Sequence, residues 1–341
     1  MKHAAVLGGG GFIGSHLCAR LVREGYEVTA YDRKHPEWVL SEWNPAMRHH
    51  ICDLREPSTF MLHFIAGKYD EVYQLAAEMG GAGYVFTGAN DADILSSSVR
   101  INLNCIDACR RGNVGRVFFT SSACVYESIS QKRNDLWRAA RGMPETAVLK
   151  FGCKEDEHIN PDSDYGLEKL FSEHLYDAFG RNYNLTARIG RVHNCFGPYG
   201  AWRGGREKAP AALCRKIAEA RDGDEIEIWG SGQQTRSFLY VDEAVEGVIR
   251  LMRSDYGMPV NIGSDEVISI DGLARMIAGI AMKPDIRLKH VPGPVGVDGR
   301  NSDNSLIEYV LKWRPTQPLR AGLVKTYDWI AGEVDKLRVA A

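Results

Sequence analysis

The chain has 341 residues, of which 44% are hydrophobic and 25% are charged, and its formal net charge at pH 7 is −2. This composition is ordinary for a globular protein, and the length allows one large domain or two smaller ones with a sizeable core. A charge so close to neutral provides no general basic field for nucleic acid or an anionic membrane. We therefore expect neither as a partner, and we interpret local basic clusters as candidate sites.

No apolar run approaches the roughly 18 residues of a membrane span, and the N-terminal apolar stretch is soon interrupted by glycines. We expect neither an export signal nor a membrane helix. The eight cysteines form no CxxC pair and no metal-type spacing, which favours reduced thiols in a cytoplasmic protein without a metal site. Cys105 and Cys109, four residues apart on a predicted helix, are interpreted as packing residues.

Up to about residue 190, short apolar runs alternate with amphipathic segments, which is typical of β-α-β units around a parallel sheet. Strands are predicted at 3–7, 26–31, 47–51, 71–75, 115–120 and 185–191, and helices near 12–24, 57–66, 91–112 and 164–182. The mixed sequence pattern of residues 127–160 predicts an inserted loop or lid, with a purely solvated insertion as the alternative. The sequence after residue 190 is more irregular, with glycine and proline punctuation and a few helices, which suits a smaller domain.

A glycine-rich loop follows the first predicted strand, with Gly8, Gly11 and Gly14 spaced G-x-x-G-x-x-G ahead of a helix. Glycines permit a tight turn and let the backbone approach a pyrophosphate at the helix N-terminus, whose N–H groups favour anions. Asp32 ends the second predicted strand, where its carboxylate can accept hydrogen bonds from an adenosine ribose and repel a 2′-phosphate. The pattern predicts NAD rather than NADP, although Arg33 beside Asp32 weakens that preference.

Asp53 follows the third predicted strand in "ICDL". It is a candidate for holding the adenine edge through its neighbouring backbone, with a helix cap as the alternative interpretation.

The segment "YGLEK" places Tyr165 and Lys169 four residues apart, so that a helix presents the phenol and the ammonium on one face. We expect the ammonium to lower the tyrosine pKa from about 10 toward the working pH, which makes Tyr165 a candidate base. Ser122 lies at the end of the strand predicted by "FFTSSACVY" and can hydrogen-bond the same substrate hydroxyl.

Together these features resemble the extended short-chain dehydrogenase/reductase family, whose Ser-Tyr-Lys group removes a proton from a sugar hydroxyl while NAD takes the hydride. Within it, the sequence resembles the GDP-mannose 3,5-epimerases in the segments "LAAEMGGAGY", "SSACVY", "YGLEK", "RIGRVHNCFGPYGAWRGGREKAPAA", "WGSGQQTRSF" and "NSDN" between residues 75 and 304. The chain departs from that pattern at Glu78, where the family usually has Asp, at Glu127, where it has Pro, and in a longer insertion before Tyr165.

The resemblance implies an α/β fold, a Rossmann-type doubly wound parallel sheet with a smaller mixed α/β substrate-binding domain. The NAD-binding domain comprises 1–190 and 235–263, and the nucleotide-sugar-binding domain comprises 191–234 and 264–341. The implied NAD contacts are Gly8, Gly11, Phe12, Ile13, Gly14, Asp32, Asp53, Leu75, Ala76, Ala77, Tyr165 and Lys169. A homodimer formed through the helices near 91–112 and 164–182 is also expected from the family.

The implied substrate is a GDP-hexose, whose contacts would be Gly80, Ser122, Cys124, Asn194, Glu207, Lys208, Lys216, Gln234, Arg236 and Arg300. Lys216, Arg236 and Arg300 match the family's contacts to the nucleotide, and the planar fork of arginine suits bidentate phosphate contact. The glycines at 204–205 let the chain bend tightly, and residues 79–83 are expected to form a flexible turn beside the nicotinamide.

The implied reaction inverts C3 and C5 of GDP-mannose through a transient 4-keto sugar, with Ser122, Tyr165 and Lys169 serving the oxidation at C4. Cys124 is the candidate base if a cation lowers its thiol pKa from about 8.5, and a small core residue is the alternative. Lys208 matches the family's acid on the opposite face. Because the overall reaction is redox-neutral, NAD should stay bound through the cycle.

Four other functions remain open. A 4,6-dehydratase would carry Thr-Asp-Glu or Ser-Asp-Glu where this chain has Ser-Ala-Cys at 122–124. A 4-epimerase would have no use for the pair Cys124 and Lys208. An epimerase could act on another GDP-sugar, such as a GDP-heptose, or invert one centre only. A silent NAD-binding regulator would have lost Tyr165 or Lys169.

Overall fold

The structure is a computed structural model that describes residues 1–35, 47–126, 152–153, 155 and 159–340. Its strands are His3–Leu7 (β1), Glu27–Asp32 (β2), Met47–Ile51 (β3), Glu71–Gln74 (β4), Arg116–Ser122 (β5), Gly152–Cys153 (β6), Thr186–Val192 (β7), Cys195–Phe196 (β8), Glu225–Trp229 (β9), Thr235–Ser237 (β10), Leu239–Tyr240 (β11), Val260–Ile262 (β12), Val267–Ser269 (β13), Arg287–Val291 (β14) and Gly299–Ser302 (β15). Its helices are Phe12–Arg23 (α1), Met61–Gly67 (α2), Ala82–Val85 (α3), Asp91–Arg111 (α4), Asp164–Tyr183 (α5), Ala209–Glu219 (α6), Val241–Arg253 (α7), Ile270–Ile280 (α8), Ser305–Leu311 (α9) and Leu319–Ala340 (α10).

Seven strands form one parallel sheet in the order β3-β2-β1-β4-β5-β7-β12. The chain runs outward from β1 in one direction and then returns to β4 on the other side of β1. In open α/β sheets, ligands bind at the carboxyl ends of the strands beside this change of direction. The predicted fold class, a Rossmann-type doubly wound sheet, is therefore confirmed.

Smaller sheets lie outside this central one. One has the order β13-β10-β15-β6, with β10 and β13 antiparallel and the other pairs parallel. Two parallel pairs, β8 with β11 and β9 with β14, complete the described strands. The proposed division into two domains with the boundaries given above stays a prediction.

The central sheet is covered on both faces, and β1 shows how the sequence achieves this. Successive side chains of a strand point to opposite faces. Ala4 and Val6 accordingly pack in the core cluster that contains residues of α1 and α7. Ala5 and Leu7 pack in the cluster that contains residues of α2 and α4. A parallel sheet needs cover on both faces, and its strands therefore read as nearly continuous apolar runs.

The predicted strands and helices before residue 190 correspond closely to β1–β5, β7, α1, α4 and α5. The helix predicted near 57–66 is instead a short 3₁₀ turn, Pro57–Thr59, followed by α2. Phe60 separates the two because its backbone, at φ −138°, is not helical. The predicted insertion at 127–160 lies largely outside the described residues.

Seven cysteines have described side chains, and all seven are free thiols: Cys18, Cys52, Cys105, Cys109, Cys124, Cys195 and Cys214. Cys105 and Cys109 are fully buried in the core beneath α4, as expected for packing residues. Among the described residues, no three His, Cys, Asp or Glu side chains are grouped to hold a metal ion. Within the same part of the chain, no helix combines the length and the apolarity needed to cross a bilayer.

Candidate active site

The glycine-rich loop between β1 and α1 is a tight turn in which side chains have no room. Gly8 has φ +87°, and a Cβ atom there would lie 2.8 Å from the backbone nitrogen of Ala76. A Cβ atom at Gly14 would collide with the carbonyl oxygen of Gly8. Helix α1 begins after Gly11 without a side-chain cap. Its first N–H groups are therefore not capped by a side chain and can meet an anion.

Asp32 stands at the end of β2, where its carboxylate is already oriented by backbone donors. The amide of Gly10 donates to Oδ2 at 3.0 Å, and that of Lys34 donates to Oδ1 at 3.2 Å. Arg33, the cation expected to weaken the preference for NAD, is ion-paired with Glu78 at 3.5 Å. Because Glu78 balances Arg33, the negative charge of Asp32 remains free to repel a 2′-phosphate.

A cavity of about 480 Å³ opens at the carboxyl ends of β1, β2, β4 and β5. Its lining includes every residue that the sequence assigns to NAD: Gly8, Gly11, Phe12, Ile13, Gly14, Asp32, Asp53, Leu75, Ala76, Ala77, Tyr165 and Lys169. Gly80 and Lys208, assigned to the substrate, line it as well. The cavity also takes in residues that sequence reasoning left unassigned, among them Arg33, Arg55, Glu78, Tyr199 and Arg206.

Asp53 is fixed by Arg55, and it caps neither of the helical turns that follow, which begin after Glu56 and Phe60. Its Oδ1 accepts hydrogen bonds from the backbone nitrogen and Nε of Arg55 at 3.0 and 2.9 Å. The hydrogen bonds from this guanidinium hold the pKa of Asp53 below its ordinary value. Asp53 is thus a charged acceptor in the cavity wall, and the helix-cap alternative does not apply.

Tyr165 and Lys169 share one face of α5, as their spacing predicts. Lys169 Nζ lies 5.5 Å from the centre of the Tyr165 ring, and its carboxylate partner is Glu168 Oε2 at 3.3 Å. Burial raises the pKa of Tyr165 above its ordinary value, and the nearby Cys124 and Glu168 raise it further. The predicted lowering of this pKa is therefore wrong for the chain by itself, because desolvation is the largest influence and opposes ionisation of the phenol.

Ser122, Cys124 and Tyr165 are brought together by backbone packing at the end of β5. The Ser122 hydroxyl accepts a hydrogen bond from the Cys124 backbone nitrogen at 3.2 Å and so begins the 3₁₀ turn Ala123–Val125. A Cβ atom at Gly166 would collide with the carbonyl oxygen of Cys124, so glycine lets α5 pack directly on this turn. The Cys124 side chain packs in the same apolar cluster as Tyr165.

A buried ion pair lies beside the Cys124 thiol. Arg300 donates to Asp162 Oδ2 at 2.8 Å, and its other terminal nitrogen lies 3.8 Å from Cys124 Sγ. Burial raises the pKa of Cys124 to about 11 and Asp162 adds to the rise, while Arg300 and Lys208 lower it. Cations lie near the thiol, but the condition that they lower its pKa below the ordinary value is not met in the chain by itself, because burial and Asp162 outweigh them.

Arg300 also has a second arginine beside it. Arg236 on β10 is paired in register with Arg300 on β15, and the two strands are parallel. Burial lowers the pKa of Arg236 to about 10, and the charge of Arg300 adds to this effect. Two neighbouring guanidinium groups, of which Arg300 is already paired with Asp162, favour a bound anion, which is the role that the sequence assigns to both residues.

The remaining predicted substrate contacts lie at separate places, each held by a local hydrogen bond. Lys216 Nζ donates to the carbonyl of Glu227 at 2.7 Å, and Gln234 Nε2 donates to the carbonyl of Trp229 at 2.8 Å. Asn194 donates to the carbonyl of Ser237 at 3.0 Å. These three side chains are absent from the cavity lining described above.

Glu207 and Lys208 end the glycine-containing loop, with Lys208 in the position before α6. Glu207 Oε2 accepts a hydrogen bond from the backbone nitrogen of Gly205 at 2.7 Å. Facing this loop, residues 79–83 are not simply the flexible turn that the sequence predicts. Gly81 directly precedes the short helix α3, and its backbone nitrogen donates to the carbonyl of Arg206 at 3.0 Å.

Comparison with known proteins places these features in a family. The model of the NAD dependent epimerase/dehydratase family matches residues 4–263. The chain belongs to this family. It is 40% identical to GDP-mannose 3,5-epimerase 1 of Oryza sativa subsp. indica, over 97% of the chain and 82% of that protein. It is also 40% identical to GDP-mannose 3,5-epimerase of Arabidopsis thaliana, over 97% of the chain and 83% of that protein.

Among solved structures, UDP-glucuronic acid 4-epimerase from Bacillus cereus, in complex with UDP-glucuronic acid and NAD, aligns with a TM-score of 0.81. The alignment covers 97% of this chain and all of that one at 24% identity, so this likeness shows the shared fold alone.

The cofactor of this NAD-dependent family fits the cavity. The crowding at Gly8 and Gly14 leaves the backbone bare where a pyrophosphate must approach, and the uncapped start of α1 provides N–H donors. Asp32 stands at the ribose position with both carboxylate oxygens oriented. NAD is accordingly the cofactor of this chain.

Three residues of the site have roles that sequence reasoning missed. Asp162 holds Arg300, Glu168 pairs with Lys169, and Glu78 pairs with Arg206 at 2.7 Å. Glu168 stands inside "YGLEK", so its position next to Lys169 was a local signal. The other two pairings join residues far apart in the chain, and no local pattern indicates them.

Proposed function

We propose that the chain catalyses the NAD-dependent epimerisation of GDP-mannose at C3 and C5, giving GDP-L-galactose, GDP-L-gulose or both. The placement of Cys124 beside Ser122 and Tyr165, with Lys208 lining the same cavity as Tyr165, carries the proposal. The 40% identity to plant proteins named for this activity, over nearly the whole chain, supports it.

Oxidation at C4 begins the reaction, and Tyr165 accepts the proton of the C4 hydroxyl. Ser122 holds that hydroxyl by a hydrogen bond, and the buried ammonium of Lys169 stabilises the phenolate. Bound NAD supplies the hydride acceptor and donor at C4 together with a positive charge that favours ionised acids nearby. The resulting carbonyl acidifies the hydrogens on C3 and C5, the two neighbouring carbons.

Cys124 then removes a proton from the carbon to be inverted, and Lys208 donates a proton to its opposite face. With a pKa of about 11 the thiol is protonated at neutral pH. Ionising it at pH 8 costs about 4 kcal/mol, a small part of a typical reaction barrier. The thiolate so formed is strongly basic, as removal of a proton from carbon requires. Arg300, at 3.8 Å, stabilises the thiolate when it forms.

The diphosphate of the substrate is held by Arg236 and Arg300, whose charges lie side by side on β10 and β15. Their guanidinium groups suit bidentate contact with phosphate oxygens. The further contacts that we propose for the nucleotide and the hexose are Gly80, Asn194, Glu207, Lys216 and Gln234.

The alternatives are separated by residues of the site. Ala123 and Cys124 follow Ser122, so the acidic pair of a 4,6-dehydratase is missing at this position. A 4-epimerase has no use for a thiol and an amine beside the sugar. A silent regulator would not need Tyr165 and Lys169 in one cavity. Another GDP-sugar, such as a GDP-heptose, remains an outcome of the test.

The test incubates purified protein with GDP-mannose in heavy water and locates deuterium by NMR. Label at both C3 and C5 supports the proposal, label at one carbon shows inversion of a single centre, and label at neither rejects GDP-mannose as substrate. Cys124→Ser should lose deuterium incorporation while retaining nucleotide binding. Lys208→Gln should impair it as well, and Arg203→Gln is the matched control because Arg203 lies over its own neighbour Trp202 at 5.1 Å.

We also propose that the protein is a homodimer that packs through α4 and α5. The two helices contact each other and expose large apolar side chains, namely Leu103, Leu167 and Phe171 at 43, 51 and 48% of their full accessibility. Light scattering should give twice the chain mass, and Phe171→Glu should give the monomer. A monomeric unmodified protein rejects the proposal.

The free thiols support a cytoplasmic location, which cell fractionation would test.

A further inference from the structure

Glu78 is a nearly buried carboxylate that receives three side chains from three parts of the chain. Its Oε1 lies 2.7 Å from Arg206 Nη1 and accepts a hydrogen bond from the Tyr84 hydroxyl at 2.9 Å, and its Oε2 lies 3.5 Å from Arg33 Nη2. Only 10% of its side chain is accessible. The hydrogen bonds from Tyr84 and Arg206 outweigh burial and lower the pKa of Glu78, so it is charged at neutral pH.

The two arginines that meet at Glu78 come from different walls of the NAD cavity. Arg33 follows Asp32 at the end of β2, whereas Arg206 lies two residues before Lys208. All five of these side chains line the cavity. Glu78 therefore joins the wall expected to hold the adenosine ribose to the loop that carries the candidate acid.

That loop, residues 203–207 directly before Lys208, contains two glycines that allow its backbone more than one conformation. Gly204 and Gly205 both have left-handed backbones, at φ +92° and +86°, and a Cβ atom on either would meet nothing within 4 Å. Consecutive glycines in open space give the chain unusual conformational freedom. Arg203 does not attach the loop to the cavity wall, because it lies over its neighbour Trp202.

Arg206 supplies the side-chain attachment. Its guanidinium lies 4.2 Å from the centre of the Tyr84 ring, and Nη2 donates to the Tyr84 hydroxyl at 3.0 Å. Its carbonyl accepts a hydrogen bond from the backbone nitrogen of Gly81. A Cβ atom at Gly81 would collide with the carbonyl oxygen of Glu207, so glycine there permits the loop to approach. The loop is thus docked on residues 78–84 mainly through one arginine and its carboxylate.

We propose that Glu78 is a positioning residue whose contact with Arg206 latches the 203–207 loop over the NAD cavity, so that the loop retains NAD through the cycle and fixes Lys208 toward the sugar. The retention of NAD rests on the cavity and the family alone, and the placement of Lys208 rests on the proposed function. A redox-neutral reaction needs such a latch because NADH lost in mid-cycle would leave the 4-keto sugar without its reductant.

The test measures NAD release, which requires no sugar. Protein loaded with NADH is diluted into excess NAD, and the loss of bound NADH fluorescence gives the release rate. Glu78→Gln keeps the shape and the Tyr84 hydrogen bond but removes the charge, and Arg206→Gln removes its partner. We expect each to release NADH at least ten-fold faster than the unmodified protein. The matched control Arg203→Gln, in the same loop, should release it at the unmodified rate.

The double variant Glu78→Gln with Arg206→Gln should be no faster than either single variant, because both remove the same contact. Release at the unmodified rate in Arg206→Gln, or an additive increase in the double variant, overturns the proposal. If Glu78→Gln folds poorly, Arg206→Gln gives the same test by itself, because Arg206 is half-exposed and its substitution should not disturb folding. A second readout is the kinetics of deuterium incorporation into GDP-mannose. The variants should lower its kcat more than they change its KM, because the latch positions Lys208. If GDP-mannose is not a substrate, the release rates still decide whether the latch exists.

Discussion

Substitution of either member of the ion pair beside Cys124 should shift the pKa of the thiol, and the two substitutions should shift it in opposite directions. Arg300→Gln removes a positive charge 3.8 Å from Cys124 Sγ. At an effective dielectric constant near 20, two unit charges at that distance interact by about 4 kcal/mol, or about 3 pKa units. Because Cys124 is only partly buried, solvent screens part of this interaction, and we expect the thiol pKa to rise by about 1–2 units. Asp162→Asn removes the opposite charge and should lower the pKa.

The assay is the rate of alkylation of Cys124 by iodoacetamide between pH 7 and 9, followed by mass spectrometry of its peptide. In this range the thiolate fraction falls ten-fold for each unit of pKa, because the pKa of about 11 lies above the pH. A more basic thiolate is also a better nucleophile, with a Brønsted slope of about 0.4–0.5. This offsets nearly half of the effect of the pKa shift on the alkylation rate. We therefore expect Arg300→Gln to slow alkylation by about 3- to 10-fold and Asp162→Asn to accelerate it.

Arg300→Gln leaves Asp162 buried without its partner, so folding must be checked by thermal unfolding. The double variant Asp162→Asn with Arg300→Gln removes both charges and should return the alkylation rate toward that of the unmodified protein. Rates that shift in the same direction in both single variants, in folded protein, would refute the electrostatic reasoning. Cys124→Ser identifies the signal, since its peptide should not be alkylated at this position.

Three further predictions concern binding and stability. Gly14→Ala should abolish NAD binding in calorimetry and lower the unfolding temperature, because its Cβ atom collides with the carbonyl oxygen of Gly8; normal binding would show that the loop can relax. Burial lowers the pKa of His193 to about 3. The contribution of neutral His193 to the free energy of unfolding is therefore fully present above the unfolded-state pKa of about 6.5, and it is lost as the pH falls toward 3. By linkage this amounts to about 3 kcal/mol between pH 7 and 4, and urea unfolding of His193→Gln should show a smaller pH dependence. Glu173→Gln leaves the buried Arg191 without the carboxylate that it contacts at 2.7 and 2.9 Å. Urea unfolding should show that the free energy of unfolding falls by about 3–5 kcal/mol. Breaking the exposed ion pair of Lys336 in the same way should change it little.

The dinucleotide-binding half could be predicted because its determinants are local. The spacing of Gly8, Gly11 and Gly14 encodes a turn whose crowding the structure confirms. Asp32 is identifiable because it follows the apolar run of β2 at the distance that the second strand requires. The spacing of Tyr165 and Lys169 fixes their shared helix face without any knowledge of the rest of the fold.

The protonation states could not be predicted, because they depend on burial and on contacts between distant residues. Asp162 and Arg300 are 138 positions apart, and only the folded chain brings the segment before α5 to β15 beside Cys124. The sequence correctly places cations near the thiol, yet it contains no information on how much solvent the fold removes. For Tyr165 and Cys124, desolvation is the largest influence, and for Cys124 it acts against the cations Arg300 and Lys208.

Three cations of the site are each balanced by a carboxylate of the same chain. Arg300 pairs with Asp162, Lys169 with Glu168, and Arg206 with Glu78. Partly or fully buried charges without partners would destabilise the fold before any ligand arrives, so the carboxylates keep the empty site stable. Asp162 raises the pKa of Cys124, and Glu168 and Asp162 raise that of Tyr165, so the carboxylates that balance the cations also keep these two acids protonated in the chain by itself.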